Sequence, residues 1–471
     1  MGTVPLEINL MRIVLLNPPY KNFSCTQPPL GLAYLASIAQ GKGINAEIID
    51  AHAENISEDE IVKRIYSFKP DALGVTATTP VFNAVVRILQ EFKKISSVPV
   101  VMGGPHASAL PEETLLAGGI DIVVRGEGEA AFGDLLDCLF QKNDLQGVAG
   151  ISFLKNGRIF STPQRVFINN LNNLAFPDWR GFSLGKYYSP ARKKRLSLPI
   201  MTSRGCPFQC YFCYKGVFGS QYRFRALENV VDEIKHLREA YHIEEYSVID
   251  DNFNLLPGRA EEFCRIAIRE KLNLPWSLPN GIRANPLTKE LLELLKASGC
   301  YRVSFGAESG DEKILRKINK GITLDEIKKA VCLAKEAGLE TGVFFMFGNF
   351  GEDEETMERT IQFALDLEPD FAQFSIATPY PGTEFYELVN KEGRFLFKTW
   401  EELGSYEKAV FECGSLSANI INKKFKEAYR RFYLRPKYIF KKFAHIKTAR
   451  DANNLLNGLK IFFDIIMKKG R

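Results

Sequence analysis

The chain has 471 residues, 45% of them hydrophobic and 25% charged, with a formal net charge of +5 at neutral pH. Those proportions suit a large soluble enzyme of about two to four domains and exclude bulk disorder. Nine cysteines over this length are too sparse for a disulfide scaffold. With no export leader and no apolar run of membrane-spanning length, the expectation is a reducing cytoplasm.

After an unremarkable lead-in over residues 1–10, Arg12–Asn17 is an apolar run that predicts a buried strand, and 30–39 carries a helical pattern. Short strands follow at 46–50, 72–76, 98–102 and 120–124, alternating with helical stretches at 57–68, 81–95, 111–117 and 129–141. Five buried-type strands interleaved with helices predict an α/β, doubly wound, Rossmann-like parallel sheet over residues 12–142. Such sheets bind ligands at the carboxyl ends of their strands. The loops there are Asn17–Tyr20, Asp50–His52, Thr76-Ala-Thr78, Gly103-Gly104-Pro-His106 and Arg125-Gly126-Glu127-Gly128-Glu129. Paired glycines let backbone approach a bulky ligand. No G-x-G-x-x-G follows the first strand, which counts against a dinucleotide site. Residues 143–195 read as a connector, with Asn156-Gly157 between two apolar runs predicting a hairpin.

Residues 196–400 again alternate strand and helix. Strands are expected at 198–203, 245–250, 276–278, 301–306, 341–347 and 371–375, with helices at 227–241, 259–270, 288–298, 311–318, 324–337 and 354–366. Six βα units make a partial version of the eight-unit barrel, with chemistry at the carboxyl ends of the strands. The first of these strands delivers Cys206-Pro-Phe-Gln-Cys210-Tyr-Phe212-Cys213. This C-x3-C-x2-C spacing sets three thiolates around an iron–sulfur cube and leaves one iron without a protein ligand. Structural zinc wants four ligands in paired sets, and no second pair or nearby histidine completes one. Cys138, Cys264, Cys300 and Cys332 read as ordinary buried thiols, while Cys25 and Cys413 receive no role.

The cysteine loop, after a strand and with an aromatic before its last cysteine, resembles the signature of the radical S-adenosylmethionine enzymes. The first portion, with Pro29-Leu-Gly-Leu32, Gly-Gly-Pro-His and Arg-Gly-Glu-Gly-Glu in that order, resembles the cobalamin-binding domain fused to many of them. The layout is similar to that of the class B methyltransferases and of the anaerobic magnesium-protoporphyrin monomethyl ester oxidative cyclase. The resemblance implies that Cys206, Cys210 and Cys213 hold a [4Fe-4S] cluster whose open iron chelates S-adenosylmethionine. It implies that Phe212, Asp250, Asp251, Ser304 and Glu308 line that cofactor, with the Gly348–Glu352 turn near its adenosine. Thr76, Thr78, Gly103, Gly104, His106, Gly126, Glu127 and Gly128 are the implied cobalamin contacts. Domains that bind cobalt through histidine carry Asp-x-His-x-x-Gly after the first strand. Here Asn17-Pro-Pro-Tyr-Lys-Asn-Phe stands there, and His52 follows the second strand without the downstream glycine, so the implied cobalt has no histidine ligand. The implied activity is methylation of an unactivated carbon of a small-molecule or lipid-like substrate, through a 5′-deoxyadenosyl radical and methylcobalamin, fed by an external one-electron reductant. Oxidation or cyclisation without net methyl transfer is the alternative, and a cobalamin-dependent sensor is a third.

Residues 401–471 read as a basic, mainly helical tail. Its last portion, 422–471, holds 15 Lys/Arg against 3 Asp/Glu, a charge of +12 that leaves −7 for the rest of the chain. The default expectation is a helix packing its apolar side on the barrel. Basic charge followed by the apolar stretch 455–467 also suits peripheral contact with an anionic membrane surface. No recognised module accompanies the charge, so no nucleic-acid partner is expected. Pro436 is expected to interrupt the helix.

Overall fold

The computed structural model describes residues 11–20, 26–189, 191–404, 407–444, 455–456, 458–460, 462–463 and 465. The lead-in, residues 21–23 of the loop after the first strand, Cys25 and parts of the 455–467 stretch lie outside the described residues. The chain forms two compact units, Met1–Tyr187 with Gly216–Phe218, and Tyr188–Lys215 with Gly219–Arg471.

In the first unit β1 (Arg12–Asn17), β2 (Asn45–Asp50), β3 (Ala72–Thr76), β4 (Val100–Gly103) and β5 (Ile122–Val124) run parallel in the order β2-β1-β3-β4-β5. Ile13 to Leu16 and Leu73 are fully buried, as expected for central strands covered on both faces. The connecting helices are α1 (Leu30–Gly41), α2 (Ala51–Glu54), α3 (Glu58–Phe68), α4 (Phe82–Lys93), α5 (Pro105–Ala109), α6 (Pro111–Leu116) and α7 (Gly128–Gln141). Helix α1 packs against α7, and α3 against α4. The winding reverses between β1 and β3, the switch point at which such sheets open a crevice. The Asn156-Gly157 turn, with φ of 52° and 73°, joins β6 (Ile151–Lys155) to β7 (Arg158–Ser161). This hairpin extends the sheet, with β6 antiparallel to β5.

In the second unit six parallel strands lie in the order β15-β14-β13-β12-β11-β8. They are β8 (Ser197–Ile200), β11 (Glu245–Val248), β12 (Trp276–Ile282), β13 (Cys300–Glu308), β14 (Glu340–Phe347) and β15 (Phe371–Ile376). The expected strand over 198–203 stops at Ile200, because the Thr202 N–H is donated to the Asp250 carboxylate. Ser203–Arg204 (β9) then pairs antiparallel with Arg223–Phe224 (β10). Helices α8 (Leu227–Tyr241), α9 (Pro257–Arg269), α10 (Lys289–Ala297), α11 (Glu312–Lys317), α12 (Leu324–Glu336), α13 (Glu354–Leu367) and α14 (Glu384–Glu392) follow in turn. Trp276 anchors the core, stacked on Tyr246 and edge-on to Phe253 and Phe263. Cys138, Cys264 and Cys300 are buried, but Cys332 is exposed. It lies on the outer side of α12, one turn before Glu336, to which its thiol donates.

The tail begins with the antiparallel pair β16 (Gly393–Phe395) and β17 (Phe411–Cys413), then α15 (Ala418–Tyr433) and α16 (Pro436–Ala444). Proline opens α16 at a position where its missing N–H costs nothing. Helix α15 packs on the barrel: Tyr429 and Phe432 meet Phe374 edge-on, and the Tyr433 hydroxyl bonds the Ala372 backbone. Lys424 and Arg431 both pair with Glu358 of α13, so part of the tail's charge is spent internally. No described helix is long and apolar enough to cross a membrane. Phe432 is fully buried, so Phe432→Ala is expected to cost the second unit roughly 3–5 kcal/mol in denaturant unfolding. A loss below about 1 kcal/mol would show that α15 is not part of this core.

Candidate active site

Two neighbouring carboxylates secure the entry to the cysteine loop. Asp250 is 2% exposed and accepts hydrogen bonds from the Thr202 N–H, the Thr202 hydroxyl and the Ser203 hydroxyl. Burial pushes its pKa up, against those donors. Asp251 accepts the Gly205 N–H at 2.8 Å, one residue before Cys206. Asp250, implied by the resemblance to line S-adenosylmethionine, has its oxygens taken up by these bonds within the protein. Asn252 beside them is buried, with neither amide atom hydrogen-bonded among the described residues.

The loop is then gripped along its length. Lys215 donates to the Cys206 carbonyl, the Tyr211 N–H to the Ile318 carbonyl, and the Cys210 thiol to the Asn319 carbonyl at 3.7 Å. The Phe350 N–H donates to the Tyr211 hydroxyl, tying the loop to the Gly348–Glu352 turn. In that turn the buried Glu352 accepts the Gly348 and Asn349 N–H groups, and burial pushes its pKa up to about 8. Cys206 and Cys210 are half-buried and Cys213 is exposed. A hydrogen bond from Cys213 lowers the Cys210 pKa, against burial and with help from Lys320, and the same bond raises that of Cys213. Among the described residues no three Cys, His, Asp or Glu side chains converge as they would on a single ion.

Two cations stand against this loop. The Lys320 ammonium lies 2.6 Å from Glu308 and over the half-buried Phe212 ring at 6.0 Å. Burial pulls the Lys320 pKa down, but Glu308 and Cys210 outweigh it and the net shift is upward. Arg283 stacks on Phe208 at 3.4 Å and donates to the Lys320 and Gly321 carbonyls. Glu308 sits at φ 63°, beside a register shift in β13, and a Cβ on Gly306 would lie 2.5 Å from its carboxylate. Only glycine leaves room for the ion pair. Ser304 is buried in the same strand. A loop of three thiols flanked by two cations suits an anionic cluster, and the unbonded Asn252 amide suits a polar cofactor beside it.

The first unit has an open cleft at the carboxyl edge of its sheet. Thr76, Gly103, Gly104, Gly126 and Gly128 line it, together with Leu32, Leu35 and Phe132 from α1 and α7. Gly104 has φ 99°, and a Cβ there would meet the Ala77 carbonyl at 2.8 Å. An apolar slot with a glycine rim suits a large ring-bearing cofactor. Thr78, Glu127 and His106 are not among the lining residues. Thr78 bonds the Tyr20 hydroxyl, and Tyr20 in turn meets His52 edge-on at 5.3 Å. Glu127 turns away to accept the Ile168 N–H, leaving Glu129 at the cleft. Val217 and Phe218, shortly after Cys213 in sequence, also line the cleft.

The comparisons follow this division. The B12 binding domain family matches residues 22–136 and the Radical SAM superfamily matches residues 200–364. An uncharacterised methyltransferase of Pyrococcus horikoshii is 37% identical over 445 residues, covering 92% of this chain and 95% of that protein. The chain belongs to the radical S-adenosylmethionine enzymes that carry a cobalamin-binding domain. Its cofactors are therefore an iron–sulfur cluster, S-adenosylmethionine and cobalamin. A second relative, the anaerobic magnesium-protoporphyrin IX monomethyl ester cyclase of Rubrivivax gelatinosus, is 30% identical over 465 residues, covering 96% of this chain and 82% of that protein. The methyltransferase TsrM of Kitasatospora setae shares the fold at TM-score 0.68 and 21% identity, over 81% of this chain and 78% of that one.

Sequence reasoning passed over Lys320, Arg283 and Asn252, because none lies in a recognised motif. It also included His106, which is fully buried, stacked on Phe82 at 3.9 Å and 3.3 Å from the Thr79 hydroxyl. Burial pushes the His106 pKa down to about 4. The native state holds this ring neutral, so its contribution is intact above the ordinary value of 6.5 and is lost as pH falls towards 4. The difference in unfolding free energy between wild type and His106→Leu is expected to shrink by about 3 kcal/mol across that window. A difference that does not vary with pH would show that the ring is not held neutral.

Proposed function

We propose that this enzyme transfers a methyl group to an unactivated carbon of a small-molecule or lipid-like substrate. The observation that carries the reading is the firmly anchored loop of three cysteines, in one chain with an open cleft of the B12-binding type. When bound, the cluster and S-adenosylmethionine supply a 5′-deoxyadenosyl radical, and cobalamin supplies the methyl group. Cys206, Cys210 and Cys213 ligate the cluster. Asp250 and Asp251 set the direction in which the loop leaves its strand, and Lys320 and Arg283 offset the thiolate charge. Phe212 flanks the adenine of S-adenosylmethionine, while Asn252, Ser304 and Glu308 offer it polar groups. Thr76, Gly103, Gly104, Gly126 and Gly128 receive cobalamin, with Thr78 and Glu127 supporting the loops around it. The two histidines of the first unit, His52 and His106, do not line the cleft, which supports a cobalt without a histidine ligand. On α16, Phe440 is 74% exposed, an apolar contact that supports a lipid-like substrate, while Lys441 beside it pairs with Asp370.

Oxidative ring formation is the second reading, favoured by the 30% identity to the Rubrivivax gelatinosus cyclase. Anaerobic turnover with S-adenosylmethionine labelled in its methyl group separates the two. Methyl transfer predicts labelled product alongside 5′-deoxyadenosine, whereas oxidation predicts 5′-deoxyadenosine alone. Cys210→Ala is expected to abolish S-adenosylmethionine cleavage and to lower bound iron. Retained cleavage would contradict the ligand assignment.

A further inference from the structure

Beside the cysteine loop, α11 presents a cationic face to solvent. Ile314 and Leu315 of this helix are buried, as is Ile318 just beyond it, whereas Lys313, Arg316 and Lys317 are exposed. Their spacing of three and four residues groups the three cations on one side. Among the described residues no salt bridge involves Lys313 or Lys317, and the acid paired with Arg316 is Glu312, at 4.0 Å. Glu312 also accepts the Leu324 N–H. The end of this helix is bonded to the cysteine loop, through the Tyr211 N–H to the Ile318 carbonyl at 3.3 Å and the Cys210 thiol to the Asn319 carbonyl. Asn319, Pro207 and Gln209 are exposed around that junction. A partner resting on α11 would therefore sit on the element whose end is hydrogen-bonded to the cysteine loop.

We propose that the exposed face of α11 docks a small acidic redox protein that delivers one electron to the cluster. The inference rests on the cluster assignment above and is independent of what is methylated. The donor carries a flavin or an iron–sulfur centre, which is oxidised by one electron as the cluster is reduced by one, with no bond made or broken. Carboxylates on the donor oppose Lys313, Arg316 and Lys317, an arrangement that speeds encounter and is screened by salt. Lys320 is spent on Glu308 and Arg283 on backbone carbonyls, whereas among the described residues Lys313 and Lys317 form no ion pair and Arg316 only a 4.0 Å contact with Glu312.

The test follows cluster bleaching in anaerobically reconstituted full-length protein, before substrate is added. Three reductants are compared: a reduced acidic flavodoxin, a reduced acidic ferredoxin and titanium(III) citrate. In K313E/R316E/K317E the reduction rate with the effective protein donor is expected to fall on the order of tenfold or more, and the wild-type rate to fall with added salt. Titanium(III) citrate should reduce both forms alike, which shows that the variant holds its cluster. Whichever protein reduces the wild type identifies the donor's centre as flavin or iron–sulfur. Equal rates for wild type and variant with both protein donors would overturn the proposal, as would equal losses with all three reductants. Loss of labelled-methyl transfer with these rates preserved would count against the methylation reading alone.

Discussion

Two adjacent carboxylates at the end of one strand determine where the cysteine loop begins. Asp250 gathers two hydroxyls and a backbone N–H from Thr202 and Ser203, and Asp251 takes the N–H of Gly205. Hydrogen bonds to charged acceptors are stronger than neutral ones, and here they offset part of the cost of burying Asp250, whose pKa still shifts upward. They end β8 at Ile200 and turn the chain outward just before Cys206. Further contacts at Tyr211, Cys210 and Lys215 hold the loop beyond that start.

The second constraint is crowding around charge. Glu308 and Lys320 lie above Gly306, whose missing side chain makes room for them, and Glu308 adopts a left-handed backbone that few non-glycine residues occupy. Strain of this kind persists where the surroundings over-determine it. Lys320 belongs to the turn held by Arg283 and lies near Cys210 and Phe212, so one small assembly sets both the shape and the charge beside the thiols. In the first unit the corresponding constraint is topological. Reversal of the winding between β1 and β3 opens the sheet's carboxyl edge, and Gly104 lets β3 and β4 end close together there.

Most of the architecture was legible because parallel strands buried on both faces read as short apolar runs, and Arg12–Asn17, Ala72–Thr76 and Glu340–Phe347 are of that kind. The cysteine spacing was legible because the chemistry demands it. Asp250 was misjudged because its partners lie 48 and 47 residues earlier, and nothing local reveals that its oxygens are already taken. Glu127 and Glu129 were indistinguishable by sequence. Only the start of α7 at Gly128 decides that the first meets Ile168 and the second the cleft. Lys320 and Arg283 are silent for a similar reason, since their proximity to the loop is created by folding. Cys332 looked like a core thiol, yet its helical position faces outward.

The whole account requires a cubic cluster with three protein ligands and one iron free to bind another molecule. Electron paramagnetic resonance of the reduced, air-free protein, recorded with and without S-adenosylmethionine, reads that iron directly. The account predicts a [4Fe-4S] signal that changes when S-adenosylmethionine is added. A signal that S-adenosylmethionine leaves unaltered, or no such signal in protein loaded with iron and sulfide, would contradict it.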